Sequence, residues 1–197
     1  MVRKTVFDDY YSFHPTIQLR STVYVTGFFG TPVVQSARFV QALSGIQVID
    51  VERLLEHKIG ERLAHFLCKY QKDDLYRLEH EVLQQVSSEQ PSIVVLRPST
   101  LRYRRNFDLL SEQNGIAVLQ SKERLSLQLQ DIHTQQRTER LVDLDYRLPI
   151  SDLVLHAEMV VWKRYIPSSW YRLKPDAVAP SGIASEVIQV LSDHFDT

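Results

Sequence analysis

At 197 residues, with 44% hydrophobic and 24% charged residues, the chain has the size and composition of one globular domain able to bury a full core. Its 23 basic residues offset 24 acidic ones, so no net field favours nucleic acid or an anionic membrane. No apolar run approaches the roughly 18 residues of a membrane span, and the lone Cys68 excludes an internal disulfide. Residues 1–9 turn acidic before any apolar core and do not read as a secretory signal, so the expectation is a cytoplasmic protein with no membrane or nucleic-acid partner.

Residues 1–20 are aromatic and irregular and predict an N-terminal arm ahead of a domain spanning 21–197. Thr22-Val23-Tyr24-Val25-Thr26 is β-branched and bounded by Gly27, which predicts a first strand. Val33, Ala37, Val40 and Leu43 recur at helical spacing before Gly45, and residues 46–49 predict a second strand ending at Asp50. A mostly helical stretch covers 51–86, broken at Gly60. Ser92-Ile93-Val94-Val95-Leu96 is a continuous apolar run of the kind buried on both faces of a parallel sheet. A polar helix then runs to about Glu112, Asn114-Gly115 turns into a strand over 116–119, and a helix opens at Ser121. Met159-Val160-Val161-Trp162 predicts a last strand and residues 182–191 a closing helix. Strands alternating with helices predict a three-layer α/β domain with a central parallel sheet of about five strands.

The segment from Gly27 to Val34 has the place of a phosphate-binding loop without its chemistry. Such a loop reads G-x-x-x-x-G-K-[ST] between a strand and a helix. Gly27 fills the first glycine slot, Gly30 and Thr31 lie inside, and Pro32, Val33 and Val34 stand where the second glycine, the lysine and the hydroxyl belong. Pro32 has no N–H, and the valines offer neither charge nor oxygen. Losing one electrostatic contact to a transition state commonly costs about 3–4 kcal/mol, and here three groups are missing together. The expectation is a loop that grips no phosphate, and therefore no ATP or Mg²⁺ as cofactor.

Further landmarks follow in order. Gly27 and Asp50 lie 23 positions apart, and the acidic pair reads Asp50-Val51-Glu52. Gly60, Tyr76-Arg77, Arg147-Leu148-Pro149, Ala157-Glu158-Met159-Val160-Val161 and Ser185-Glu186-Val187-Ile188 come after it. Over about 22–191 this order resembles the shikimate kinases, small P-loop kinases that phosphorylate a hydroxyl of a cyclic carboxylic acid. The resemblance implies a P-loop kinase fold, Asp50 near Mg²⁺, Glu52 accepting hydrogen bonds from substrate hydroxyls, and Arg77 and Arg147 on the substrate carboxylate. Arg137 is the candidate arginine of a short lid near 131–147. Departures are plain as well. One extra residue lies between Gly60 and Arg77, and the acid expected three positions after the arginine is His80. Pro98-Ser99-Thr100 replaces the family's glycine-rich turn beside substrate, and 162–180 reads as an insertion. As bare residue types, Asp50 fits a helix start equally well, and Arg77 and Arg147 fit exposed positions on polar helices.

The basic-aromatic run from Trp162 to Arg172 fits either a hairpin over the sheet edge and vacated nucleotide pocket or a protein-binding hot spot. Seven scattered histidines show no metal-ligand spacing, so no metal site is expected. The leading functional expectation is a shikimate-kinase-like pseudoenzyme that has lost ATP-dependent phosphoryl transfer. It would keep a site for a small cyclic carboxylate and act as a sensor or partner-binding regulator. Two alternatives stand beside it: an active kinase or repurposed enzyme acting on a cyclic hydroxy acid, with ATP and Mg²⁺ in the kinase case, and a purely structural subunit using 162–180 as its interface.

Overall fold

A computed structural model of the chain describes residues 17–87, 90–134 and 151–196. Arg137, Arg147, most of the expected lid and most of the N-terminal arm lie outside these residues. Five strands, β1 (Val23–Gly27), β2 (Val48–Asp50), β3 (Ile93–Val95), β4 (Gly115–Val118) and β5 (Tyr171–Leu173), form one sheet in the order β2-β3-β1-β4-β5. All four pairings are parallel, with Tyr24 between Val94 and Gly115 and with Asp50 opposite Val95.

Parallel neighbours need crossovers, and helices supply them. Among the described residues these are α1 (Val33–Ser44), α2 (Val51–Ile59), α3 (Leu63–Lys69), α4 (Lys72–Val86), α5 (Arg104–Leu110), α6 (Lys122–Thr134), α7 (Asp152–Arg164) and α8 (Pro180–His194). None is long and apolar enough to cross a membrane. The stretch expected as helical over 51–86 is thus three helices. Gly45 and Gly60 end α1 and α2 in the left-handed region, with φ of 73° and 79°, and each returns its N–H to a carbonyl of the last turn.

Side-chain alternation along the strands sorts the core into two layers. Val23, Val25, Ile93, Val95, Ile116 and Val118 pack with Val33, Ala37 and Val40 of α1 and with Ile183 and Val187 of α8. Tyr24, Val94 and Ala117 face the other way, against Leu55, Leu75, Leu83, Leu125, Leu155 and Trp162. Helices on both faces give the three-layer architecture.

The end of the chain departs from expectation. Met159–Trp162 is not a strand but part of α7. The Ser151 hydroxyl caps that helix by accepting from the Val154 N–H, and Leu155, Met159 and Trp162 recur at helical spacing as its buried residues. The fifth strand is Tyr171–Leu173, inside the segment read as an insertion, so this segment supplies a parallel edge of the sheet and not a hairpin laid over it. Trp170, just before β5, is buried with its ring against Gly115, where a Cβ would come within 2.2 Å. Its indole N–H donates to the Leu110 carbonyl at 3.2 Å, and that of Trp162 to the Pro98 carbonyl at 3.0 Å. Both tryptophans belong to the core.

Candidate functional site

Ligands of open α/β sheets bind outside the carboxyl ends of the strands. Here the ends of β1, β2 and β3 open onto a cleft of about 840 Å³. Gly27, Gly30, Thr31, Pro32, Val33 and Val34 all line it. Asp50 and Glu52 enter from the end of β2, and Arg97 and Pro98 from the end of β3.

The loop after β1 is folded on itself. The Thr31 N–H donates to the Phe28 carbonyl at 2.9 Å, across a turn in which Gly30 has φ of 86°. The Val33 N–H donates to the Thr31 carbonyl at 2.8 Å, and Pro32 between them has φ −80° and ψ 51°, close to an inverse γ-turn. The Pro32 carbonyl then accepts both the N–H and the hydroxyl of Ser36, which starts α1. Gly27 admits no side chain, because a Cβ there would meet Val33 Cγ2 at 2.6 Å. From below, buried Phe28 and Phe29 meet edge to face, and Phe28 does the same with Trp162. The first turn of α1 carries neither an acid nor a side-chain cap.

On the β2 side, Asp50 holds two positions that the sequence left as alternatives. It caps α2 by accepting from the Arg53 N–H at 3.4 Å, and it lines the cleft. Glu52 lies in the first turn of α2 and also lines the cleft. Because Asp50 pairs with Val95, Glu52 and Arg97 each stand two residues beyond paired positions, on adjacent strand ends.

Arg97 was not flagged by sequence reasoning. It is 3% exposed, its Nε lies 3.5 Å from Glu79 Oε1, and its Nη2 donates to Ser99 Oγ at 2.8 Å. Glu79, fully buried on α4, also accepts from Thr100 Oγ1 at 2.7 Å and from Asn106 Nδ2 at 3.2 Å. His80 Nδ1 sits 3.0 Å from Asn106 Oδ1. The available signal was a charged residue closing an otherwise apolar parallel strand, just before a proline.

A family model described as shikimate kinase matches residues 37–140, more than half of the chain. The chain belongs to the shikimate kinase family. Among solved structures, it is similar to the shikimate kinase of Bacteroides thetaiotaomicron, with TM-score 0.67 and 13% identity over 88% of this chain and 96% of that one. The shikimate kinase of Acinetobacter baumannii, solved in complex with shikimate, gives TM-score 0.66 and 18% identity over 93% and 97% of the two chains. A gluconokinase from Sinorhizobium meliloti gives 0.54 and 12% over 89% and 94%. At these identities the structural likeness establishes the fold. No curated protein matches the chain.

Against the family pattern, Arg77 falls in an unexpected place. It pairs with Asp74 one turn back on α4, its side chain is 66% exposed, and it does not line the cleft. The structure therefore does not bring Arg77 to Asp50 and Glu52. Counting the family pattern one position earlier removes the extra residue after Gly60. Leu75-Tyr76 then takes the aromatic-arginine position, and buried Glu79 becomes the acid three positions on. Tyr76 stacks on Tyr103, with centroids 5.3 Å apart and rings 7° from parallel.

Proposed function

We propose that this member of the shikimate kinase family binds a small cyclic carboxylate in the cleft, does not carry out ordinary Mg-ATP-dependent phosphoryl transfer, and acts as a ligand sensor or regulator. The carrying observation is the loop: the N–H groups of Thr31 and Val33 are spent on its own carbonyls, and in the three motif slots Pro32 supplies no N–H, Val33 no charge and Val34 no hydroxyl. Phosphoryl transfer depends almost wholly on positioning and electrostatics at that point. The residues present do not fit nucleotide phosphates in the manner of a P-loop, and no step is derived through them.

The acceptor side argues the other way. Asp50, Glu52, Arg53, Arg62 and Arg97 line the same cleft, a donor set suited to hydroxyls and a carboxylate. Shikimate is the ligand in the Acinetobacter baumannii structure, and it defines the class expected here. Arg137 and Arg147 stay as candidate contacts from outside the described residues. A protein partner at 162–180 would meet the exposed Tyr165, Tyr171 and Val178 and not the tryptophans, which are buried.

Isothermal titration calorimetry of the full chain tests the reading. Shikimate is expected to give saturable heat and Mg-ATP none; micromolar Mg-ATP binding would overturn it. One observation favours a second reading, an active phosphotransferase on a hydroxy acid. The N-terminus of α1 borders the cleft with no acid and no cap to compete for an anion. Release of ADP from ATP, dependent on shikimate, would establish that reading in place of the first.

A further inference from the structure

We infer that the side of the cleft built by the start of α1 and the loop after β5 is a binding site of its own, which takes an uncharged, apolar group of a small molecule. The two sides of the cleft differ in chemistry. Asp50, Glu52 and Glu56 enter from β2 and α2, and among the described residues no acid enters from α1, α6 or α8. Instead Pro32 and Val34, at the start of α1, line the cleft together with Val178 and Pro180 from the junction of β5 and α8. The two helices pack side by side in one apolar layer, which brings both pairs to one rim. Arg38, in the second turn of α1, is the charged residue on this side.

Val178 decides the matter. It is 50% exposed, yet the loop that carries it is held fast. Arg124 of α6 donates to the Pro175 carbonyl at 2.7 Å and to the Asp176 carbonyl at 2.9 Å. Glu186 of α8 accepts from the Ala177 N–H at 3.0 Å and from the Asp176 N–H at 3.3 Å. Ala177 lies flush on Gly182 and leaves no room there for a Cβ. A surface loop can leave its backbone groups to water and needs no such clamp. Here the clamp keeps an apolar side chain in the cleft wall, and the entropy of ordering that wall is lost before any ligand arrives.

Size points to the occupant. Clefts of about 300–1,000 Å³ enclose drug-sized ligands, with a largely apolar lining and few polar groups. At about 840 Å³ this cleft reaches well past its acidic side, so a molecule that fills it meets the apolar rim. The rim offers no acid to a sugar hydroxyl, and the adjoining loop offers no grip to a phosphate. The class is therefore an aromatic ring or a short acyl chain without charge. The inference goes beyond the carboxylate reading and does not depend on it.

Fluorescence titration of the full chain with N-phenyl-1-naphthylamine, an uncharged dye that brightens in apolar surroundings, is the test. Saturable binding at a single site is expected, with displacement by methyl benzoate and none by adenosine or Mg-ATP. Val178→Asp is expected to weaken the dye about tenfold through lost apolar contact, at an exposed position on which folding does not depend. Val178→Ile is expected to keep the binding. Leu153→Asp, at an 80% exposed leucine of α7 outside the cleft lining, is expected to keep it too. Absence of saturable binding, stronger displacement by adenosine than by methyl benzoate, undiminished binding in Val178→Asp, or loss of binding in Leu153→Asp would each overturn the assignment. Shikimate titration reads the acidic side alone, so its failure would sink the carboxylate reading and leave this site standing.

Discussion

Glu79→Ala is a severe test of how the cleft is built. The substitution removes the acceptor for Thr100 Oγ1 and Asn106 Nδ2 and strips Arg97 of its counter-charge, at a site where Glu79 is fully buried. Breaking a buried ion pair from one side costs about 3–5 kcal/mol. Each stranded buried donor costs about 1–3 kcal/mol on its own, but neighbours in one network are not additive. The expected loss is therefore about 4–6 kcal/mol, a large share of the roughly 5–15 kcal/mol that holds a domain. Removing both charges, as Glu79→Leu with Arg97→Met, is expected to recover most of it, because apolar replacement of a buried pair is often neutral or stabilising. Urea unfolding followed by circular dichroism measures both, provided the slope is unchanged. A loss under about 1 kcal/mol for Glu79→Ala, or a double variant as damaged as the single one, would refute the claim that Glu79 compensates Arg97.

Trp170→Ala is expected to cost about 3–5 kcal/mol, read as a lowered thermal midpoint, because it empties the space over Gly115 and frees the Leu110 carbonyl. Gly30→Ala is expected to cost about 1–2 kcal/mol in the same assay, since φ of 86° disfavours any Cβ and Leu129 lies 3.3 Å from it. Arg77→Ala is expected to change stability by less than about 0.5 kcal/mol, as for other exposed pairs. Burial pushes the Tyr24 hydroxyl above its ordinary value, partly opposed by its hydrogen bond to Ser87. The unfolded chain then loses its proton first, so stability falls as pH rises beyond about 10, and Tyr24→Phe is expected to flatten that limb in urea titrations from about pH 8 to 11.

The first four strands were legible because β-branched or apolar runs there are bounded by glycine, proline, Asn114-Gly115 or a motif acid. The cleft-lining positions of Asp50 and Glu52 were legible because their spacing from Gly27 follows the chain and not its tertiary contacts. Four consecutive apolar residues at 159–162 hid a helix that a longer window reveals through Leu155, Met159 and Trp162. The true edge strand, Tyr171–Leu173, buries only Leu173 and so offers no apolar run. Arg97 was invisible for a different reason. Its burial depends on a carboxylate delivered by α4, a pairing that only the assembled fold creates. Arg77 lies off the cleft because a local partner, Asp74, holds it on its own helix, a pairing that the sequence reading did not weigh.

The inward turn of Val33 has a consequence for any attempt to place a lysine in that slot. Although it borders the cleft, Val33 is only 7% exposed and packs in the apolar layer shared with Ile183 and Val187 of α8. A lysine written into that slot would meet hydrocarbon before it met a ligand, and the desolvated ammonium would disrupt the layer. Re-aiming the side chain toward the cleft would forfeit the contacts that Val33 makes with Ile183 and Val187.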